Sequence, residues 1–543
     1  MALTRRDLLK AAVAGAGVAL ARPVLGGVAW AAGGPQPPGT RPYPNLPEGV
    51  DTLPQIEHIV VLMMENHSFD NYLGMLGRGD GFTLDAAGRP TAANPDGHGN
   101  IVHAFHMPTP CQLDGKPSQS WNASHVQLDG GRNDGFVISD SGPVAMGYWT
   151  GADIPFYYGL ARIFPLADRY FASCLAQTYP NRRFLMAASA FGLVNDPLPG
   201  PNDPPPPTGT IFDRLNAHRI SWRNYFVDLP EVALFPSVFE GNPGKAVPVS
   251  QFFVDAAAGT LPSVSLVTPE AAVTGSEENP QDIQVGEAFA SQVIAAAMHG
   301  LAWNKTLLIW CYDEHGGYYD HVPPPPALAP DSIPPAIHVP PDQPGGYDRY
   351  GFRVPCVVVS PYARRNYVSH VVHDHTSILR LIETKWNLGA MTFRDANASN
   401  LLDMLDLNAP PAFADPPALP FPGQMTNPSS CLVTGAGQIP PQGSVTPASS
   451  TAGGTPSAVQ GGGASAGAGH GSTISELPAT GRSTAAVMPA GLASLLAAWG
   501  LRRRGLSRWS SAAQGEREQA ADARQTEREP RDVVADVAAV ESP

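Results

Sequence analysis

Acidic and amide side chains stand directly after two apolar stretches of this sequence, where they could bind a metal ion. Glu65 and Asn66 follow the first stretch, and Asp313 and Glu314 follow the second. Carboxylate and amide oxygens are the ligands that hard divalent cations prefer, and buried acids close together repel each other unless a cation lies nearby. We therefore predict one divalent metal ion bound by these four residues. A capped polar turn after the first stretch and a solvated acidic turn after the second are the alternatives.

A hydroxyl, a proline and an arginine are combined in the sequence QTYPNRRFL, residues 177–185. Pro180 suits the first turn of a helix, because its missing N–H would have no intrahelical partner there. Thr178 is therefore predicted at a strand-to-helix turn, beside free N–H groups that favour a phosphate. Arg182 offers a planar fork to phosphate oxygens. A metal would activate the Thr178 hydroxyl as a nucleophile, and a simple N-cap role is the alternative.

The elements that must position these residues are predicted between residues 44 and 408, which form one globular region. Short apolar runs that end in polar clusters alternate there with helical patterns. Runs that are apolar on both faces are typical of strands buried in a parallel sheet, and we predict such strands at 59–64, 264–267, 306–312 and 357–360.

Two amphipathic helices are predicted between and after these strands. The first carries an apolar stripe of Phe289, Val293, Ala297 and Leu301, and the second a stripe of Ile378, Ile382 and Trp386, with Asp374 or Thr376 as its cap. Alternation of strands and helices predicts an α/β fold, a three-layer sandwich around a mainly parallel central sheet.

The composition excludes some classes of partner and site. Asp and Glu (48) outnumber Lys and Arg (34), and the formal charge is -14, which argues against a nucleic-acid partner. The five cysteines lack the spacing of a zinc site. One or two disulfides could form if the protein is exported, with one thiol left over.

Residues 1–32 are predicted to be a signal peptide, because an Arg5-Arg6 pair precedes an apolar run and small residues suited to cleavage. The arginine pair resembles the twin-arginine type, which makes the Tat translocase an expected partner. An ordinary secretory signal is the alternative.

The C-terminal part changes character after the globular region. Residues 409–476 are rich in Pro, Gly, Ser and Ala and predict a disordered spacer. Residues 477–504 contain LPATG, an apolar segment and three arginines, which resembles a sortase sorting signal, and 505–543 form a charged tail. We expect the protein in the cell wall, or on the outer face of the plasma membrane, of a Gram-positive-type bacterium. Sortase linkage and a simple membrane anchor are both open.

Five ordered stretches of the sequence resemble the bacterial phosphoesterase family, which includes non-specific phospholipases C and acid phosphatases. They are HIVVLMMENHSFDNYLG, GGRNDGFV, the segment from IPFYYG to NRRFLMAA, NKTLLIWCYDEHGGYYDHVPPP and DHTSILRLIETKWNL. The resemblance implies an alkaline-phosphatase-like fold and a covalent phospho-enzyme formed on a Thr or Ser.

The same resemblance implies roles for individual residues. Thr178 matches the nucleophile and His375 matches a family histidine, while Arg182 follows the nucleophile as it does in the family. The implied metal ligands are Glu65, Asn66, Thr178, Asp313 and Glu314.

Two positions depart from the family pattern. Gln119 and Asn279 stand where many members have histidines near the phosphate. We expect His125 to replace the first of them in part, and we expect His125, Asn279 and His315 to contact the substrate. A site that lacks both of the family histidines would turn over slowly, or would prefer leaving groups that need no protonation.

The predicted function is metal-dependent hydrolysis of phosphate esters, with phospholipase C-type cleavage of a phospholipid to diacylglycerol and a phosphorylated head group. An acid phosphatase acting on small phosphomonoesters and a non-catalytic cell-wall binding protein are the alternatives. A sulfohydrolase would need a Cys or Ser convertible to formylglycine, which Thr178 cannot supply.

Overall fold

The structure is a computed structural model, and it describes residues 34–111, 117–200, 203–269, 275–278 and 281–423. The predicted signal peptide, the spacer beyond residue 423, the sorting signal and the charged tail lie outside these residues and stay predictions. Within the described part of the chain, no helix is long and apolar enough to cross a membrane.

An eight-stranded sheet forms the centre of the fold, in the order β12-β6-β11-β10-β1-β9-β7-β8. The strands in chain order are β1 (His58–Met64), β2 (Ala93–Pro95), β3 (Ile101–His103), β4 (Phe105–His106), β5 (Gly147–Tyr148), β6 (Leu166–Ala167), β7 (Trp222–Phe226), β8 (Ala246–Pro248), β9 (Val264–Thr268), β10 (Thr306–Tyr312), β11 (Cys356–Val359) and β12 (Val368–Ser369). Strands β2 and β3, and strands β4 and β5, form two separate pairs.

Parallel pairing dominates the central sheet. Strand β1 pairs in parallel with β10 and β9, and β7 pairs in parallel with β9 and β8. Strand β11 runs antiparallel to both of its neighbours, β10 and β6. The predicted α/β class with a mainly parallel sheet is confirmed, but the expectation that the fourth apolar run is a parallel strand is wrong. Apolar patterning reports burial on both faces and carries no information on direction.

Ten α-helices surround the sheet within the described residues. They are α1 (Phe69–Leu73), α2 (Trp121–Leu128), α3 (Pro155–Ile163), α4 (Thr178–Ala187), α5 (Ile211–Ala217), α6 (Pro236–Gly241), α7 (Ser250–Ala258), α8 (Ile283–His299), α9 (His375–Trp386) and α10 (Phe393–Ala396).

The two predicted amphipathic helices are α8 and α9. Helix α9 buries Ile378, Ile382 and Trp386 as predicted, and Asp374 caps it through a capping box. Helix α8 ends at His299, so Leu301 lies beyond it and is 79% exposed, contrary to the predicted stripe. The chain leaves the helical path at Gly300 (φ -71, ψ 156), and a side chain beyond that point no longer follows the helical repeat.

The cysteines divide into two groups in the described structure. Cys174, Cys311 and Cys356 are buried free thiols, and Cys111 is disulfide-bonded. The described part of the chain therefore contains one cysteine in a disulfide, Cys111.

The register of the sheet brings the two acidic stretches together. Met64 at the end of β1 pairs with Tyr312 at the end of β10, and both strands are buried almost throughout. Because the two strands are parallel, the residues that follow them leave the sheet at the same edge.

Candidate active site

The two predicted ligand pairs lie side by side at the carboxyl end of the sheet. The Asp313 amide donates to the Met64 carbonyl at 3.2 Å, and the Asn66 amide donates to Asp313 Oδ1 at 3.1 Å. Glu65, Asn66, Asp313 and Glu314 are all buried. The predicted convergence of the two turns is confirmed.

Close backbone packing holds these turns in place. Asn66 has a φ of 36°, in the left-handed region that Asn tolerates better than most residues. Gly316 has a φ of 64°, and a Cβ there would lie 2.1 Å from the Asn66 carbonyl oxygen. The Gly316 amide donates to Glu314 Oε2 at 2.7 Å. Only glycine fits at this contact, and it fixes one carboxylate oxygen of Glu314.

The Thr178 hydroxyl points into the same cluster. Thr178 is the first residue of α4, and its Oγ1 donates to Glu65 Oε1 at 3.1 Å. Gln177 occupies the N-cap position without a side-chain cap, so the alternative N-cap role of Thr178 is not observed. The predicted helix start is confirmed. The predicted strand directly before it is wrong, because β6 ends at Ala167.

The first turn of α4 already binds an anionic side chain. The Tyr179 amide donates to Asp196 Oδ1 at 2.7 Å. Burial raises the pKa of Asp196 to about 6, and the charge of Asp313 adds to that rise. One of the N–H groups that we expected to be free for phosphate is therefore engaged by a carboxylate.

The Arg182 guanidinium binds three carboxylates of the protein. Its Nε donates to Asp313 Oδ2 at 2.9 Å, its Nη1 to Glu231 Oε2 at 3.0 Å and its Nη2 to Glu65 Oε2 at 2.5 Å. The residue is 4% exposed. All three guanidinium nitrogens are used inside the cluster, and the phosphate role of Arg182 stays a prediction. Arg182 positions the acids that face Thr178.

The electrostatics of the cluster favour a cation. Burial raises the pKa of Glu65, an effect that Arg182 opposes and Asp313 reinforces. Burial and then the charge of Asp313 raise the pKa of Glu314. Oε1 of Glu314 is buried without a hydrogen-bond partner in the described structure. An oxygen-only donor set with an unsatisfied carboxylate oxygen fits a hard divalent cation.

His375 contacts the cluster through the backbone of Asp313. It is fully buried, with its Nε2 donating to the Asp313 carbonyl at 2.7 Å and its Nδ1 3.1 Å from the Tyr170 hydroxyl. Burial lowers the pKa of His375, and the nearby charge of Asp374 opposes that effect. Both ring nitrogens are occupied within the protein, an arrangement that orients the Asp313 turn. The catalytic role of His375 stays a prediction.

His125 and His315, the described residues among those predicted to contact substrate, bond to different parts of the protein. His315 is buried and donates from Nε2 to Gln127 Oε1 at 2.7 Å, and burial lowers its pKa to about 3. His125 donates from Nδ1 to the Trp121 carbonyl at 2.7 Å. No contact of either histidine with Thr178 occurs among the described residues, and Asn279 lies outside them. His315 is buried and His125 is partly buried, and the expected contacts of both histidines with substrate stay predictions.

Glu231 belongs to the cluster and was not predicted from the sequence. It lies five residues beyond β7 and accepts from Thr268 Oγ1 at 3.2 Å as well as from Arg182. The signal was available, since an acid that follows a strand in a parallel sheet lies at the same edge as Glu65 and Asp313.

A second acidic group, Asp70, Asp320 and His321, has a composition that could hold a metal ion. The guanidinium of Arg353 lies among them, 2.8 Å from Asp320 Oδ1 and 3.2 Å from Asp70 Oδ1. His321 Nδ1 donates to Asp70 Oδ2 at 2.7 Å. The positive charge that a metal would bring is already supplied by side chains, so this group acts as a buried ion-pair network.

Comparison with known proteins places the chain among phosphoesterases. The sequence matches the Phosphoesterase family over residues 56–389. It is 30% identical over 416 residues to phospholipase C A of Mycobacterium tuberculosis, covering 66% of this chain and 79% of that protein. It is 31% identical over 399 residues to the hemolytic phospholipase C of Pseudomonas aeruginosa, covering 62% and 53%. A solved Vibrio parahaemolyticus protein of the alkaline phosphatase superfamily is also similar, at 11% identity and a TM-score of 0.30 over 56% of this chain and 76% of that one.

Replacing Arg182 should destabilise the protein strongly. Arg182→Met leaves three buried carboxylates without their cation, and a broken buried ion pair costs about 3–5 kcal/mol. We expect a loss of this size in the free energy of unfolding, measured by urea denaturation. The neighbouring Arg183→Met is the control, because Arg183 is only partly buried and makes a 3.4 Å bond to the Leu234 carbonyl. Equal losses in the two variants would contradict the assigned role of Arg182.

The second acidic group predicts a pH dependence of stability. Burial alone would lower the pKa of His321, but its hydrogen bond to Asp70 and the charge of Asp70 raise it to about 9. The pKa of His321 in the folded protein lies above its unfolded value of about 6.5, so the charged ring stabilises the fold. This contribution to the free energy of unfolding is complete below about pH 6.5 and is lost as the pH rises through 9. The melting temperature of the wild type should therefore fall more steeply than that of His321→Gln between pH 7 and 10. Parallel curves would show that His321 is not stabilised in its charged form.

Proposed function

The chain belongs to the phosphoesterase family, and from that premise we propose that it is a phospholipase C-type hydrolase with Thr178 as its nucleophile. The observation that carries this proposal is the Thr178 hydroxyl, which lies 3.1 Å from Glu65 Oε1 at the head of a buried acidic cluster. Phosphate esters are the substrate class of a phosphoesterase, and the relatives named phospholipase C support a phospholipid substrate.

One divalent metal ion would be held by Glu65, Asn66, Thr178, Asp313 and Glu314. These residues offer carboxylate, hydroxyl and amide oxygens as ligands. Glu314 Oε1 has no hydrogen-bond partner within the described part of the chain. When bound, a divalent ion supplies positive charge and Lewis acidity at the phosphate.

The chain's own residues would carry the proton and the covalent intermediate. Thr178 Oγ1 gives its proton to Glu65 Oε1 as it attacks phosphorus, and the bond from phosphorus to the diacylglycerol oxygen breaks. The departing oxygen takes a proton from solvent. Water then attacks the phosphothreonine, and Glu65 returns its proton to Thr178 Oγ1 as that oxygen leaves phosphorus. The proton lost by the attacking water passes to solvent, and the phosphorylated head group is released. Arg182 keeps Glu65 in position throughout.

The nucleophile is tested by substitution. Thr178→Ala should abolish phosphate-ester hydrolysis while keeping the fold, because the hydroxyl donates a single buried hydrogen bond. Thr178→Ser keeps the hydroxyl and should keep part of the activity. Thr210→Ala is the matched control, since Thr210 caps helix α5 through a capping box and its loss should lower stability without stopping turnover. Near-wild-type turnover by Thr178→Ala would refute the nucleophile.

The substrate class is tested with the same proteins. Phosphatidylcholine, sphingomyelin and p-nitrophenyl phosphate are assayed with several divalent metals and after exhaustive chelation. We expect release of diacylglycerol from phosphatidylcholine and loss of that activity on chelation. Faster hydrolysis of the monoester would favour the acid phosphatase, and inactivity with all substrates and metals would favour the non-catalytic wall protein.

Export to the cell surface is part of the proposal, supported by the arginine pair and the LPATG segment of the sequence. Surface protein should begin near residue 33, as read by N-terminal sequencing. Arg5→Lys/Arg6→Lys should abolish export, because paired arginines are the feature that the Tat translocase recognises. A conservative change elsewhere in the signal, Lys10→Arg, is the control. Continued export of the double variant, and in a translocase knockout, would contradict this route.

A further inference from the structure

A buried carboxylate that the proposed reaction does not use lies behind the two metal-binding turns. Glu277 is completely buried and accepts hydroxyl hydrogen bonds from three tyrosines. Tyr157 donates to its Oε1 at 2.7 Å, Tyr72 donates to its Oε2 at 3.0 Å, and Tyr312 donates to the same Oε2. Three donors converging on one buried acceptor form a fully connected polar network.

The side-chain bonds of Glu277 reach both turns. Tyr72 belongs to α1, which begins just after the turn that contains Glu65 and Asn66. Tyr312 is the last residue of β10 and directly precedes Asp313. A single carboxylate therefore connects the elements that carry the two predicted ligand pairs.

The backbone around Glu277 makes a second set of links to the first turn. The Glu277 carbonyl accepts from His67 Nε2 at 3.0 Å, and the Ser276 carbonyl accepts from the Glu65 amide at 3.1 Å. The Glu277 amide donates to Gln281 Oε1 at 3.2 Å. Segment 275–278 is thus bonded on both sides of the Glu65–Asn66 turn.

The local conformation shows that this position is tightly constrained. Glu277 has a φ of 76°, which is uncommon for a residue with a side chain. A Cβ on Gly286 of helix α8 would lie 2.1 Å from Glu277 Cγ, so the helix leaves room for the Glu277 side chain only because residue 286 is glycine. Unusual backbone conformations persist where the surrounding contacts determine them.

We propose that Glu277 is a positioning residue that sets the distance between the Glu65–Asn66 turn and the Asp313–Glu314 turn, and thereby the metal affinity of the site. This inference rests on the metal site proposed above. The three tyrosine hydroxyls need an acceptor, and an apolar residue would leave them unsatisfied in the interior. The turns would then separate or rotate. Loss of outer contacts that orient metal ligands typically weakens metal binding by about 10- to 100-fold.

The test measures metal binding directly. Chelator-stripped wild type, Glu277→Ala, Glu277→Gln and Tyr157→Phe are titrated with Zn²⁺, Mn²⁺ and Ca²⁺ by calorimetry, each with its melting temperature. We expect Glu277→Ala to weaken binding of the preferred metal by about 10- to 100-fold. Glu277→Gln keeps one acceptor oxygen and should lose less. Tyr157→Phe removes a donor that lies on helix α3, outside both turns, and should also weaken binding.

Asp255→Asn is the matched control. Asp255 is buried on helix α7 and accepts at 2.7 Å from the hydroxyl of Tyr225 on β7, a strand that β9 separates from β1. Its replacement should lower the melting temperature without changing metal affinity. The same pattern in the Glu277 variants would indicate that Glu277 has a merely structural role.

The outcomes separate this inference from the proposal on which it rests. Wild type that binds none of the three metals would overturn the metal site and the role of Glu277 together. Wild-type affinity in folded Glu277→Gln and Tyr157→Phe, beside a metal-binding wild type, would overturn the role of Glu277 alone. If Glu277→Ala does not fold, these two milder variants decide the matter.

Discussion

The Arg182 guanidinium is the contact on which the arrangement of the site depends, because three buried carboxylates share it. Burial alone would lower the pKa of a guanidinium, but Glu65, Glu231 and Asp313 together raise that of Arg182. The planar fork allows three separate bonds at fixed angles, which a lysine ammonium could not reproduce. Each acid is therefore held in one orientation, and the oxygen of Glu65 that Arg182 does not bind is the one that faces Thr178.

The sheet supplies the other constraint. Strands β1 and β10 are parallel neighbours in a register that pairs Met64 with Tyr312. A shift of one residue in either strand would send Glu65 or Asp313 to the opposite face, since side chains alternate along a strand. Full burial of both strands makes such a shift costly, so the apolar runs that look like plain core also set the geometry of the polar turns.

Much of this could be predicted from the sequence, and the exceptions have physical reasons. Apolar runs and helical stripes gave the fold class and the meeting of Glu65 with Asp313, because these depend on local patterns and on the edge rule for parallel sheets. The partners of Arg182 and His375 could not be predicted, because an isolated arginine or histidine gives no sign of whether it faces a substrate or an internal acid. The role of Glu277 could not be predicted either, because the three tyrosines that bind it lie far apart in the sequence.

The site contains more negatively charged than positively charged side chains. Glu65, Glu231, Asp313 and Glu314 contribute four carboxylates, and Arg182 contributes one guanidinium, so the cluster holds more acid than its own cation can balance. Without further positive charge, protons would have to occupy some of these acids, and burial does raise the pKa of Glu65 and Glu314. Glu65, Glu231 and Asp313 all share Arg182, so its single charge cannot balance the cluster that the Thr178 hydroxyl faces. A divalent ion, bound as proposed, would supply the missing positive charge beside the Thr178 hydroxyl.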